Sequence, residues 1–174
     1  MKPAVACLAL LALAAGPGAA MEITPIGTMT ADLAGEALSL PTVLVRSGDE
    51  TESTAFLMVT GGFSSLSLTG LGAANARLDL SVTFLTPAPD AATPTVDVDI
   101  AYAPTGGPAR WIAYAAPGTE NLTLTKLTIE GDAGHATGSF RATLCFAADY
   151  AAEADPANCR AIEGRFDTPL TVER

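Results

Sequence analysis

Basic and chemically versatile side chains are scarce in this chain. It has no glutamine, one histidine (His135), one tryptophan (Trp111) and two lysines, Lys2 and Lys126. Nine basic residues face nineteen acidic ones, for a net charge of −10. That balance argues against nucleic acid or an anionic membrane surface as a partner, because phosphate contacts need clustered Lys and Arg. A lone histidine leaves one candidate for His-assisted nucleophilic catalysis. His135 lies in Gly131 to Thr137, where it reads as a solvated residue beside a turn. No G-x-S-x-G elbow accompanies it. A zinc centre would need more His and Cys than are present. No phosphate loop or dinucleotide fingerprint occurs, and no window has a convincing helical period. No cofactor or metal is therefore expected.

The one long apolar run is at the N-terminus. Lys2 precedes Ala4 to Ala15, Gly16-Pro17-Gly18 breaks the run, and Ala19-Ala20 supplies small residues. This is the pattern of a secretory signal peptide. The run is shorter than the roughly 20 residues a membrane-spanning helix needs. Cleavage is expected after Ala20, leaving residues 21–174 as one domain without a transmembrane segment. That part carries 8 basic and 19 acidic residues, a net charge of −11 (8 minus 19). The Lys-poor, Ala/Gly/Arg-heavy composition has a bacterial character, so the acceptor pattern Asn121-Leu122-Thr123 is not read as a glycosylation site.

Two cysteines remain after the leader, Cys145 and Cys159. Export would bring them to an oxidising compartment, where a disulfide is the default. They stand at the two ends of a segment expected to be a loop, Ala147 to Asn158. Closing such a loop stabilises by about 3 kcal/mol in the chain-entropy model.

What the chain has in abundance is β-forming residues. Twenty-one threonines, with many Val, Ile and Leu, alternate in short runs broken by Gly, Pro, Asp and Asn. The pattern predicts an all-β, antiparallel two-sheet sandwich of about ten strands, with a closed barrel as the alternative. Met29, Ala31 and Leu33 begin a hairpin that turns at Ala34-Gly35. Arg46 to Ser53 reads as a polar loop, and Ala55 to Thr60 as a strand buried on both faces. Leu78, Leu80, Val82 and Phe84 share one face; Val96, Val98, Ile100 and Tyr102 share another. Leu122 and Leu124 are even whereas Leu127 and Ile129 are odd, so one face can hold all four only across a bulge near Thr125 and Lys126. Gly138-Ser139-Phe140 and Gly164-Arg165-Phe166 repeat one motif. Two antiparallel neighbours could each place a glycine opposite the other's ring.

The candidate binding residues are few. Asp97 and Asp99 point to one strand face about 7 Å apart, which suits a Ca²⁺ site, an acid/base pair or a solvated surface. Asp149, Glu153 and Asp155 put three carboxylates in the loop between the cysteines. Trp111 and Tyr114, with Tyr102, could offer flat rings to a sugar, although a large aromatic more often anchors a core. These features imply a non-enzymatic protein of the cell envelope, periplasmic or secreted, with a structural or binding role. Its partner would be an unidentified protein or glycan. A Ca²⁺- or carbohydrate-binding module is the first alternative. A hydrolase is the second, and no recognisable nucleophile or polarised acid/base pair supports it.

Overall fold

The computed structural model describes residues 21–113 and 121–174. The expected leader and Tyr114 lie outside the described residues. The first five strands are β1 (Glu22–Leu33), β2 (Glu36–Ser47), β3 (Glu50–Ser53), β4 (Ala55–Thr60) and β5 (Phe63–Leu71). Then come β6 (Arg77–Phe84), β7 (Asp97–Ala103) and β8 (Arg110–Ala113). The last three are β9 (Asn121–Glu130), β10 (Ala133–Ala147) and β11 (Asp155–Glu173). No helix among the described residues is long and apolar enough to cross a membrane.

The all-β expectation holds, but the strands form one mixed sheet of eleven rather than two clearly separate sheets. Their order is β3-β2-β1-β11-β4-β5-β6-β7-β8-β10-β9, with a further pairing of β11 to β10. Nineteen-residue β11 makes this possible. One edge pairs with β1, the other with β10, and its last residues meet β4 in parallel (Thr171 opposite Phe56). Neighbour relations therefore close into a ring through β11, β4, β5, β6, β7, β8 and β10. Across the interior, Leu40 of β2 lies against Gly70 of β5, where an added Cβ would approach the Leu40 Cβ to 2.8 Å.

Local sequence explains the first hairpin. Ala34 (φ 53°) and Gly35 (φ 93°) both adopt positive φ, as a two-residue turn between twisted strands requires. The Gly35 N–H donates to Asp32 Oδ1 at 2.7 Å. The expected bulge is also present. Thr137 faces Lys126 while Gly138 faces Leu124, so Thr125 is the extra residue. Leu124 and Leu127 are consequently both buried, and the Thr125 hydroxyl donates to the Thr137 carbonyl at 3.0 Å.

The core between β10 and β11 rests on reciprocal glycine–phenylalanine pairs. Gly138 is opposite Phe166, and Phe140 is opposite Gly164. A Cβ on Gly138 would come within 2.6 Å of the Phe166 ring. A Cβ on Gly164 would collide with the Phe140 ring and the Thr30 carbonyl. Both rings are buried, as are Leu80, Val82, Phe84, Ile100 and Leu144.

Several expectations need correction. Arg46 to Ser53 is not a loop: β2 continues to Ser47, turns at Gly48 and returns as β3. All but one of the residues of β3 are exposed, so no apolar alternation marks it. Ala55 to Thr60 is not buried on both faces, since Met58 is 44% exposed. Val96 precedes β7 and is exposed, and Val98 is only partly buried. The loop between the cysteines is shorter than Ala147 to Asn158, because β11 begins at Asp155. His135 is not a fully solvated residue beside the turn but lies inside β10, half-buried beside β11.

Candidate functional site

The disulfide joins Cys145 and Cys159, directly opposite each other on β10 and β11, with Cα atoms 4.0 Å apart. It lies at the loop end of the long strand pair. The outward faces of β1, β11, β10 and β9 come into register below it. Three rows cross these strands. The first is Asp32, Glu163, Arg141, Asn121; the second is Thr30, Arg165, Ser139, Thr123; the third is Thr28, Asp167, Thr137, Lys126. Neighbouring strands are about 4.8 Å apart and successive rows about 6.8 Å. The twelve positions form a small polar lattice.

A depression of about 940 Å³ lies on the first two rows, with Thr30, Asp32, Asn121, Arg141, Glu163 and Arg165 among its walls. A second, of about 410 Å³, continues from Arg141 and Glu163 to Thr143 and Ala161. A third, of about 460 Å³, runs the other way from Arg165 and Ser139 to Thr137 and Asp167. Together they make an open trough along β10 and β11.

The charge of this face is unusual for the chain. It carries three bases (Lys126, Arg141, Arg165) and three acids (Asp32, Glu163, Asp167), net zero. The rest of residues 21–174 carries five bases and sixteen acids, net −11 (5 minus 16). Asp32 and Glu163 stand directly opposite each other, an arrangement that destabilises a sheet unless cations lie near. Arg141 faces Glu163 from the other side, and Arg165 is one row away from both acids. Among the described residues the ion pairs are Arg77–Asp79, His135–Asp167 and Arg174–Asp132. Neither Arg141 nor Arg165 belongs to one.

The residues singled out from sequence do not converge. Asp97 and Asp99 share an exposed face of β7, opposite Thr83 and Ser81 on β6. Asp149 Oδ1 accepts the Ala151 and Ala152 amides, each at 2.8 Å. Asp155 Oδ1 accepts the Ala157 amide at 2.9 Å. These carboxylates stabilise their own turns, and Glu153 is exposed beside them. Among the described residues no group of three or more His, Cys, Asp or Glu is placed to hold a metal ion.

Trp111 is 7% exposed and belongs to the core. It packs edge-on against Phe146 with ring centroids 5.5 Å apart, and the Arg160 guanidinium covers its face at 4.4 Å. Tyr102 is buried too, which pushes its phenol above the ordinary value, with Glu36 adding to the effect. His135 Nε2 is 2.7 Å from Asp167 Oδ1 at the lower end of the trough.

Alternation with Phe140 and Phe166 puts Arg141, Glu163 and Arg165 on the opposite, outward face of their strands, but nothing in the sequence brings them together with Asp32, Thr30 or Asn121. The available signal was both charge signs at alternate positions of the last two strong strands. No protein-family model, curated protein or solved structure matches this chain.

Proposed function

We propose that this is an exported, non-enzymatic protein of the bacterial cell envelope, periplasmic or secreted, that binds its partner through the trough on β1, β11, β10 and β9. The observation that carries this reading is the trough itself, where charges of both signs stand in register on a chain that is otherwise strongly acidic. A sheet face needs only polarity to remain soluble. Paired donors and acceptors along an open groove offer recognition as well. The Cys145–Cys159 bridge favours an oxidising compartment, in keeping with the leader pattern of residues 1–20.

Binding is favoured over turnover by the arrangement around His135. Its Nε2 faces Asp167, and among the described residues no serine, threonine or cysteine is hydrogen-bonded to the ring. The folded-over sheet makes a two-layer sandwich in this proposal, with Leu40 of β2 seated on Gly70 of β5. The outer face of one layer then holds the site.

The test has two arms. Intact mass of protein recovered from the periplasm or medium should begin at Met21; material retaining Met1 to Ala20 sinks the export reading. Thermal melting with Ca²⁺, EDTA and envelope glycans should give a ligand-dependent rise, since a ligand selective for the native state must stabilise it. A rise abolished by Arg141→Ala supports the trough. Hydrolysis of any glycan in the panel overturns the non-enzymatic reading.

A further inference from the structure

We infer that the trough takes a neutral, linear polysaccharide lying along β10 and β11. This rests on the reading above that the trough is the binding face. The chemistry of the lattice selects the ligand class. An anionic polymer would need a surplus of donors and positive charge, and a cationic one a surplus of carboxylates. The trough walls have no such surplus: Arg141 and Arg165 stand among Asp32 and Glu163, and the remaining carboxylate, Asp167, is engaged by His135.

What they provide is donors and acceptors within one row spacing of each other. Arg141 and Arg165 carry planar forks of N–H donors, whereas Asp32 and Glu163 carry paired oxygen acceptors. Neighbouring hydroxyls on a sugar ring present a donor and an acceptor side by side. Each can bridge a guanidinium and a carboxylate of this lattice. Asn121 and the hydroxyls of Thr30 and Ser139 extend the same mixed chemistry along the walls.

The shape agrees with a chain rather than a single sugar. The joined depressions follow β10 from Thr137 to Thr143. At the strand rise this is about 20 Å, room for about four hexose units end to end. The trough offers no flat aromatic platform, since Phe140 is 3% exposed and Trp111 is covered by Arg160. Recognition therefore rests on hydrogen bonds, which give modest affinity and strong dependence on individual polar groups.

The experiment is calorimetric titration of residues 21–174, disulfide intact, with cello-, manno- and xylo-oligosaccharides of increasing length and with oligogalacturonate as the anionic control. Binding of at least one neutral series is expected, tightening up to about four units and then levelling. Arg165→Ala and Glu163→Gln should each weaken it about tenfold or more, while Asp99→Asn on the other half of the sheet leaves it unchanged. Thermal melts of the variants separate loss of contact from loss of fold. Absence of binding by every neutral series overturns the inference. Binding of oligogalacturonate alone, lost in Arg165→Ala, overturns the ligand class and leaves the trough as the site. Binding that falls in Asp99→Asn and not in the trough variants overturns both.

Discussion

The half of the sheet built from β1–β3 and β9–β11 and the half built from β4–β8 use similar alternation for different ends. In the first, β10 and β11 are fifteen and nineteen residues long and pair over most of that length. In the second, β4 to β7 are six to nine residues long. The first fills its core with phenylalanine rings seated on glycines. The second stacks aliphatic rows, Leu66–Val82–Val98 and Leu68–Leu80–Ile100. Outside, the second half shows small hydroxyls and acids, Ser65–Thr83–Asp97 and Ser67–Ser81–Asp99. Its Arg77 is tied to Asp79 at 2.8 Å. The first half shows both charge signs over a trough. Solubility accounts for these polar rows of the second surface. The first carries an ordered charge pattern that solubility does not require.

Substitutions can sharpen this contrast, and the largest effect should come from the ring–glycine core. Phe166→Ala should cost about 3–5 kcal/mol in urea unfolding, because the space over Gly138 is shaped for that ring. Gly138→Ala should also destabilise, by about 1–3 kcal/mol, since the new methyl meets both the ring and the Thr123 carbonyl. If both substitutions cost under 1 kcal/mol, the two halves do not differ in core packing as described.

Removing the disulfide should come next. Cys145→Ser with Cys159→Ser should cost about 3 kcal/mol for the segment it closes. Hydrogen exchange should then rise first at the Phe146–Asp155 end of the β10–β11 pair. Exchange rising first in β4–β8 would show that the bridge supports the wrong half.

A smaller effect is expected where β2 and β11 meet over β1. Thr42 and Thr168 are fully buried and share a hydroxyl hydrogen bond of 2.7 Å. Thr168→Val leaves the Thr42 hydroxyl without that partner and should cost about 1–3 kcal/mol. Thr42→Val in the same chain should recover much of it. No recovery in the double variant would show that the two hydroxyls act independently.

The smallest effect concerns pH. Asp90 Oδ1 accepts from the Thr93 hydroxyl and the Ala92 amide, each at 2.9 Å. These bonds, the Thr93 hydroxyl first, hold its carboxyl below the ordinary range. A lowered folded-state value means that the native chain binds the proton less readily than the unfolded chain. Asp90 therefore adds stability above about pH 4, lost as the pH falls through the lower folded value. Because Asp90 is exposed, Asp90→Asn should lower stability only slightly at neutral pH, and its difference from the parent chain should vanish as the pH falls through the lower folded value.

Alternation made much of the fold legible in advance, for a physical reason that also marks its limit. Leu78 to Phe84, the Ala34-Gly35 turn, the Thr125 bulge and the Gly–Phe pairing all involve residues whose burial or backbone geometry depends on near neighbours. The same reasoning missed β3, because Glu50 to Ser53 is an exposed edge with nothing apolar to alternate. It read His135 as a solvated residue beside a turn extending to Gly134, although Gly134 is already paired inside β10 opposite Leu170. Of the candidate site, only the outward direction of Arg141, Glu163 and Arg165 was readable.

The sequence by itself determined the β class, the two-residue turn, the bulge and the pairing of Cys145 with Cys159 at the two ends of one loop, since each follows from local pattern. Tertiary structure alone decided that the strands join in one sheet and that β11 serves β1, β10 and β4 at once. It also decided that Asp32, Glu163, Arg141 and Asn121 form a row. Those residues are far apart along the chain, and their meeting depends on strand order and register. Exposed side chains leave register free, because a polar residue is equally soluble beside any other. Register here is set from beneath, by Met29, Phe140, Ile162 and Phe166 packing in the core, and the surface row follows.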